Sequence, residues 1–152
     1  TNGSVFVTNA TAGFEIAYKY AGIGEGDEVI VPAYTYTATA SIVCHVGATL
    51  VLCDVADNGF EMDYDKMASL ITPKTKAIIP VDLAGIVCDY DKIFAAVESK
   101  KHLFKPNNDI QKAYGRVIVL ADAAHAFGAK RGGKSRSRDT HGSSRSSRQP
   151  RR

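Results

Sequence analysis

The chain has 152 residues, which is the size of one ordinary domain. Apolar residues make up 45% of it, enough for a core, but no apolar run approaches the roughly eighteen residues that a membrane span needs. The net charge of +3 is unevenly divided, because residues 135–152 carry +5 and the rest of the chain carries −2. We therefore expect one folded domain, no membrane segment and a separate basic tail.

Strands and helices alternate along the predicted domain. Apolar spacing and turn residues predict these segments in chain order: helix 11–21, strand 28–32, helix 36–46, strand 49–55, helix 63–71, strand 76–83, helix 89–102 and strand 117–120. Residues 103–115 are polar and interrupted by Pro106, so we expect a surface loop there. The alternation predicts an α/β fold, with a mostly parallel sheet flanked by helices on both faces.

The apolar face of the first predicted helix contains Phe14, Ala17, Tyr20 and Ala21, which share one side at helical spacing. We therefore expect these four side chains to face the core.

The cysteines favour a reduced, cytoplasmic protein. They form no C-x-x-C pair, their number is odd, and no Cys/His spacing suits a metal, so we expect no metal site. The chain opens T-N-G-S, without the charged and apolar regions of a signal peptide. We interpret the three cysteines as buried, small apolar side chains: Cys44, Cys53 and Cys88.

The basic tail begins abruptly at Ser135. Residues 135–152 contain six Arg and six Ser, and not one residue of the apolar set. Such a segment cannot bury apolar surface, so we predict that it is disordered. An Arg-rich tail can also hold nucleic acid weakly through phosphate contacts, but we favour a solvated tail without a partner, because charged low-complexity segments are common.

Polar side chains follow several predicted strands, at the edge where parallel sheets bind ligands. Asp82 follows the apolar run I-I-P-V, and Asp122 follows the apolar run V-I-V-L-A, with His125 three residues later. A carboxylate beside a buried strand is costly without a partner, so Asp122 needs one. A helix cap for the A-A-H-A turn is the structural alternative for Asp122, and a purely structural histidine is the alternative for His125.

Two further features admit both a structural and a functional interpretation. The segment T-N-A-T-A (8–12) opens the first predicted helix, where it can cap the helix or hold a phosphate on free N–H groups. Tyr34 and Tyr36 can pack at a strand end or contact a ligand ring. The glycines of G-I-G-E-G-D follow a helix and do not form G-x-G-x-x-G, so the dinucleotide-binding fingerprint is absent.

Four motifs in order resemble the DegT/DnrJ/EryC1/StrS sugar aminotransferases. The motifs are T-N-A-T-A-G-F-E-I-A, G-I-G-E-G-D-E-V-I-V-P-A-Y-T-Y-T-A-T-A, I-T-P-K-T-K-A-I-I-P-V-D-L-A-G and D-A-A-H-A-F-G-A. The resemblance covers residues 5–134 in register. It implies a fold of the aspartate aminotransferase type (fold type I) and the cofactor pyridoxal 5'-phosphate (PLP). Residues 1–134 would then be part of the PLP-binding large domain, incomplete, with residues 135–152 as the unrelated tail.

The resemblance assigns cofactor contacts to six residues: Ala10, Thr11, Ala12, Tyr36, Asp122 and His125. In the family, the Asp of D-A-A-[HQ]-A bonds the pyridine nitrogen of PLP and keeps it protonated, which matches Asp122. His125 matches the residue near the phenolic oxygen, and Tyr36 matches the aromatic stacked on the ring. The remaining three match the phosphate turn, where the family usually has Gly in place of Ala10.

The resemblance also shows what is missing. The Schiff-base lysine of the family lies downstream of D-A-A-H-A in an F-S-F-type segment, and this chain contains no such segment. Lys130 and Lys134 come too soon, and no lysine follows them.

The resemblance predicts a transaminase that uses an amino donor such as glutamate and a keto-sugar nucleotide, as a homodimer in its full-length form. The chain itself would bind PLP weakly and transfer no amino group. The alternative function is an inactive, truncated relative that acts as a binding or regulatory protein through its basic tail.

Overall fold

The computed structural model describes residues 4–132 and the backbone of residues 134 and 135. The helices are α1 (Ala10–Tyr20), α2 (Thr37–His45), α3 (Tyr64–Leu70), α4 (Tyr90–Ser99) and α5 (Asp109–Tyr114). The strands are β1 (Glu28–Pro32), β2 (Thr49–Cys53), β3 (Thr75–Ile78), β4 (Ile118–Val119), β5 (Lys130–Arg131) and β6 (Lys134–Ser135). Two short 3-10 turns complete the assignment, at Leu83–Gly85 and Lys101–Leu103. Within this described part, no helix is both long and apolar enough to span a bilayer.

The strands β1 to β4 form one parallel sheet in the order β2-β1-β3-β4. Side chains alternate across it, so Val29 and Val31 of β1 pack beside α1 and α2, whereas Ile30 packs beside α3 and α4. Helices therefore cover both faces, and the predicted α/β class is confirmed. Below, the amino edge is the edge where the parallel strands begin, and the carboxyl edge is where they end.

Two predictions about buried side chains are wrong. In α1, Tyr18 is fully buried whereas Tyr20 is 68% exposed, so the core-facing tyrosine is the neighbour that the apolar spacing did not select. Cys53 and Cys88 are buried as expected, but Cys44 is exposed on α2.

The predicted loop 103–115 contains the short helix α5. Asn108 caps it by accepting a hydrogen bond from the Gln111 N–H, and Gly115 ends it in the left-handed conformation with a φ of 62°. The Gln111 side chain is fully buried and donates to the Ala21 carbonyl at 3.0 Å. This tertiary contact stabilises a helix too short to be detected from apolar periodicity.

A polar cluster closes the amino edge, and we call its members Asp27, Lys76, Asn107 and Gln111 the amino-edge network. All of them except Asn107 are buried. The Lys76 ammonium donates to the carbonyls of Pro73 (2.9 Å) and Lys105 (2.8 Å). Asn107 donates to Asp27 at 2.6 Å, and Lys76 lies 4.0 Å from the same carboxylate oxygen. The network joins the approach to α5 to the starts of β1 and β3.

The glycine-rich segment after the D-A-A-H-A motif forms an antiparallel hairpin of β5 and β6. Arg131 of β5 fixes the hairpin to the domain. Its guanidinium donates to Glu61 and Asp89, each at 3.2 Å, and to the Val87 carbonyl at 2.6 Å. The tail 135–152 was predicted to be disordered; apart from the Ser135 backbone, which lies in β6, it falls outside the described residues, so that prediction stays open.

Candidate functional site

Asp122 lies at the carboxyl edge, on the continuation of β4. Its backbone N–H donates to the Pro80 carbonyl at 2.8 Å, and its carbonyl accepts from the Asp82 N–H at 2.9 Å. An isolated parallel bridge pairs Val81 with Asp122. Main-chain pairing therefore continues past the regular strands and fixes the backbone of Asp122 against the neighbouring strand.

The Asp122 carboxylate is almost fully enclosed, with the residue only 8% exposed. One oxygen accepts from the Thr39 hydroxyl at 2.8 Å, and the other accepts from the Ala124 N–H at 3.1 Å. A carboxylate can accept about four hydrogen bonds, so these two donors orient the group and leave it able to accept more. The Ala124 contact also shows that the cap predicted as the structural alternative is present.

Thr39 is a site residue that the sequence did not reveal. It is buried on α2, and its hydroxyl also accepts from the Thr35 hydroxyl at 3.1 Å. The Thr39 N–H donates to the Tyr36 carbonyl at 3.0 Å. The only signal was its place in T-Y-T-A-T, one turn after the predicted ring-stacking tyrosine, because the partner carboxylate is 83 positions away in the chain.

A cavity of about 620 Å³ lies beside this carboxylate. Residues 119–124 form one wall, and α1 forms another through Ala10, Gly13 and Phe14. Its lining is largely apolar, and Asp122 supplies the charged group. No lysine lines the cavity within the described part of the chain.

The start of α1 supplies free backbone donors to the same region. The Asn9 side chain caps the helix by accepting from the Ala12 N–H at 2.8 Å. The N–H groups of Ala10 and Thr11 have no acceptor among the described residues. A helix N-terminus carries positive potential, so these groups suit an anion such as phosphate. Capping and anion binding, weighed as alternatives above, are compatible because different donors perform them.

The remaining predicted contacts are not among the residues that line the cavity. Tyr36 is 79% exposed at the N-cap position of α2. His125 is exposed in the turn after Asp122, and Thr11 and Ala12 follow Ala10 in the first turn of α1. The structure thus brings Ala10 and Asp122 together, and connects Tyr36 to Asp122 through Thr39. Their roles toward a cofactor stay predictions.

Asp82 has a structural position in the fold. The residue is fully buried, and its carboxylate accepts from the Cys88 N–H at 2.9 Å and from the Tyr90 hydroxyl at 3.1 Å. These contacts close the turn that contains Ala84, which has a positive φ of 52°. Because the Asp82 N–H also bonds Asp122, this turn supports the backbone of the site.

The comparisons with known proteins agree with the four motifs. The sequence profile of the DegT/DnrJ/EryC1/StrS aminotransferase family matches residues 1–143. The chain belongs to this family. The family identified from the sequence motifs is therefore confirmed.

Two curated relatives illustrate the similarity. GDP-perosamine synthase of Caulobacter vibrioides is 42% identical over 131 residues, which cover 86% of this chain and 31% of that protein. A UDP-2-acetamido-2-deoxy-3-oxo-D-glucuronate aminotransferase of Pseudomonas aeruginosa is 40% identical over 126 residues, covering 83% and 31%. This chain thus spans about a third of the length of these relatives.

Solved structures show the same relationship. A Streptococcus pneumoniae protein named as a sugar aminotransferase superposes with a TM-score of 0.77 at 53% identity, covering 78% of this chain and 30% of that one. It has been solved in apo, PMP and PLP forms. The 3-amino-5-hydroxybenzoic acid synthase structure matches with a TM-score of 0.68 at 36% identity, covering 85% of this chain and 30% of that one. The described sheet is therefore part of a larger aminotransferase fold.

Proposed function

We propose that this chain forms part of the PLP-binding domain of an aminotransferase acting on sugar nucleotides. The observation that carries the proposal is the buried Asp122 carboxylate, oriented by Thr39 beside a cavity that the first turn of α1 also lines. Membership of the family and the PLP form of the Streptococcus pneumoniae structure support the choice of cofactor.

The residues at the cavity fit the chemistry of PLP. When bound, PLP withdraws electrons from the substrate carbon at which the amino group is exchanged. The Asp122 carboxylate would hold the proton on the pyridine nitrogen, because a nearby negative charge favours the protonated ring. Its hydrogen bonds from Thr39 and the Ala124 N–H fix the direction in which it accepts.

The other predicted contacts would orient the cofactor. The N–H groups of Ala10 and Thr11 would hold the phosphate, with Ala12 continuing the same turn. Tyr36 would stack on the ring, an arrangement worth roughly 0.5–1.5 kcal/mol for aromatic pairs. His125 would lie near the phenolic oxygen. The exposure of Tyr36 and His125 leaves both side chains accessible to such a ligand.

The substrates proposed for the whole protein are an amino acid donor such as glutamate and a keto sugar carried on a nucleotide. The names of the Caulobacter vibrioides and Pseudomonas aeruginosa relatives, which refer to a GDP sugar and a UDP sugar, support this class. The reacting lysine would come from a part of the longer protein that this chain does not contain. We also propose a homodimer.

Exposed aromatic side chains support the dimer. Tyr34 and Phe60 stack on each other with ring centroids 5.1 Å apart, yet each is about half exposed. Tyr36 and Phe127 are more exposed still. All four belong to connections that follow β1, β2 or β4, and such exposed apolar groups are typical of interaction surfaces. The cytoplasmic location remains a prediction from the sequence.

Equilibrium binding of PLP, followed by absorbance and fluorescence, tests the proposed cofactor site. We expect weak, reversible binding by the chain. Asp122→Asn should weaken it by about 10- to 100-fold, because a hydrogen bond to a charged group contributes about 1.5–3 kcal/mol. Asp91→Asn, on an exposed turn of α4, is the matched control and should bind as the parent does. Equal binding by all three chains would refute the site.

A second measurement concerns amino transfer itself. Residues 1–152 should show no turnover of a keto-sugar nucleotide with glutamate, because general acid–base catalysis alone contributes roughly 10²–10⁴-fold and its lysine is missing. Borohydride reduction with PLP, followed by digestion, would identify any modified lysine. A pyridoxyl group specifically on Lys130 or Lys134, together with turnover, would contradict this expectation.

A further inference from the structure

The Tyr18 hydroxyl is a buried polar group that the proposed function leaves unexplained. Tyr18 is fully buried, and its hydroxyl oxygen has no hydrogen-bond partner within the described residues. Buried hydroxyl groups are nearly always paired, with protein or with an ordered water, because an unpaired one loses its hydration without compensation. A buried tyrosine hydroxyl of this kind therefore indicates a partner that the described residues do not supply, such as an ordered water.

The side chains around Tyr18 belong to the same elements that hold Asp122. Tyr18 is part of the core cluster with Ile42 and Val43 of α2, against which Leu120 packs. Ile42 and Val43 follow Thr39 by about one helical turn, and Leu120 precedes Asp122 by two positions.

The Asp122 carboxylate also interacts electrostatically with the Tyr18 hydroxyl. Burial, and to a smaller degree this charge, raise the pKa of Tyr18 well above its usual value. The phenol therefore stays protonated and can act as a donor. Asp122 is an acceptor with spare capacity, since the Thr39 hydroxyl and the Ala124 N–H occupy only part of what a carboxylate accepts.

We propose that Tyr18 is a positioning residue for Asp122, whose hydroxyl donates to a buried water that in turn donates to the Asp122 carboxylate. Proteins contain about one buried water per 27 residues, and such waters typically join polar groups that lack a protein partner. The link would add a donor to the carboxylate beyond Thr39 and Ala124. The effect of this link on PLP binding rests on the proposed function, whereas the hydrogen-bonded link between Tyr18 and Asp122 does not.

A double-mutant cycle on the unfolding equilibrium tests the link without any cofactor. The chains are the parent, Tyr18→Phe, Asp122→Asn and the double variant, unfolded with urea. We expect Tyr18→Phe to destabilise the parent, and its effect on the unfolding equilibrium constant to shrink at least about threefold when Asp122→Asn is present. The matched control is Tyr20→Phe, an exposed tyrosine on the same helix, which should show no such dependence.

Two results of the cycle would overturn the proposal. One is additivity, with the effect of Tyr18→Phe unchanged within about twofold by Asp122→Asn. The other is stabilisation by Tyr18→Phe, which is the result expected of a hydroxyl that has no partner at all.

Binding of PLP and of its analogue with carbon in place of the pyridine nitrogen gives a readout that packing alone would not change. Tyr18→Phe should weaken PLP about threefold or more and leave the analogue unchanged, because the analogue has no ring nitrogen for Asp122 to contact. Equal weakening of both compounds would overturn the positioning role. A parent chain that binds neither compound would refute the proposed function, and the cycle would still decide on the link.

Discussion

The amino and carboxyl edges of the sheet both bury charged groups, but only the amino edge satisfies them completely. Lys76 donates to two carbonyls, lies over the Phe104 ring at 5.5 Å, and faces Asp27, which accepts from Asn107 and from the Gly24 N–H. Burial raises the pKa of Asp27 and lowers that of Lys76, which shows the cost of removing both charges from water. At this edge, both buried charges have contacts within the protein.

The carboxyl edge has the opposite character. Asp122 has hydrogen-bond donors but no cation within the described residues, and it lines a cavity of about 620 Å³. Tyr18, in the core cluster against which Leu120 packs, has a hydroxyl without a partner among the described residues. The comparison shows that burial alone does not identify a functional carboxylate: Asp27 is as buried as Asp122, but its partners are internal. A buried carboxylate that lies beside a cavity and can still accept hydrogen bonds is the feature that indicates ligand binding.

The largest expected effect is at the amino edge. Lys76→Met should lower the free energy of unfolding by about 3–5 kcal/mol, because it leaves the Asp27 charge buried without its cation. Urea unfolding measures this, with Lys74→Met, an exposed lysine two positions earlier, as the control. A loss no larger than that of the control would mean that the network does not stabilise this edge.

Thr39→Val tests the carboxyl edge with a smaller stability effect. It removes one donor to Asp122 and should cost about 1.5–3 kcal/mol of unfolding free energy. Thr39→Val should also weaken PLP binding. Lys76→Met, measured under conditions in which that chain is folded, should leave PLP binding unchanged. Both properties are measured on the same preparation. Weaker PLP binding in Lys76→Met but not in Thr39→Val would reverse the roles assigned to the two edges.

Two asparagine caps allow a matched comparison of the edges. Asn9→Ala at the carboxyl edge removes the cap of α1 and should cost about 1 kcal/mol of unfolding free energy. Asn108→Ala at the amino edge should cost more, because Asn108 also donates to the Ala21 carbonyl at 3.0 Å. Thermal and urea unfolding of the two variants give the order. A larger loss from Asn9→Ala would contradict the difference in packing.

The smallest expected effects concern the cysteine thiols, through their labelling rates and the pH dependence of stability. Cys44 is exposed and should react with a thiol reagent at pH 8, whereas buried Cys53 and Cys88 should react only on unfolding. Burial raises the pKa of Cys53 to about 11. The folded chain thus retains a proton that the unfolded chain releases above about pH 8.5, so stability should fall as pH rises from there toward 11. Equal labelling rates for all three would contradict this burial pattern.

The regular elements were largely predictable because their signals are local. Strand β1 begins and ends at the predicted residues, and Asp63, the first residue of the predicted helix 63–71, caps α3. Helix α5 was missed although Asn108 and Gly115 carry its cap signals, because a helix of six residues is too short to show apolar periodicity. The choice between Tyr18 and Tyr20 failed for a related reason, since helical spacing defines a broad face and only packing selects the buried side chain.

The sequence by itself determined the α/β class, the family and the candidacy of Asp122, because strand patterns and the D-A-A-H-A motif are local features of the chain. Only the tertiary structure decided which groups meet Asp122. Thr39 and Tyr18 reach its surroundings from helices far away in sequence, and the cavity exists only where α1 packs beside the end of β4. The same holds for Lys76, which looks like an ordinary strand residue until Asp27 and the approach to α5 enclose it. Spatial neighbours of this kind are set by chain topology, so the spacing of residues in the sequence does not predict them.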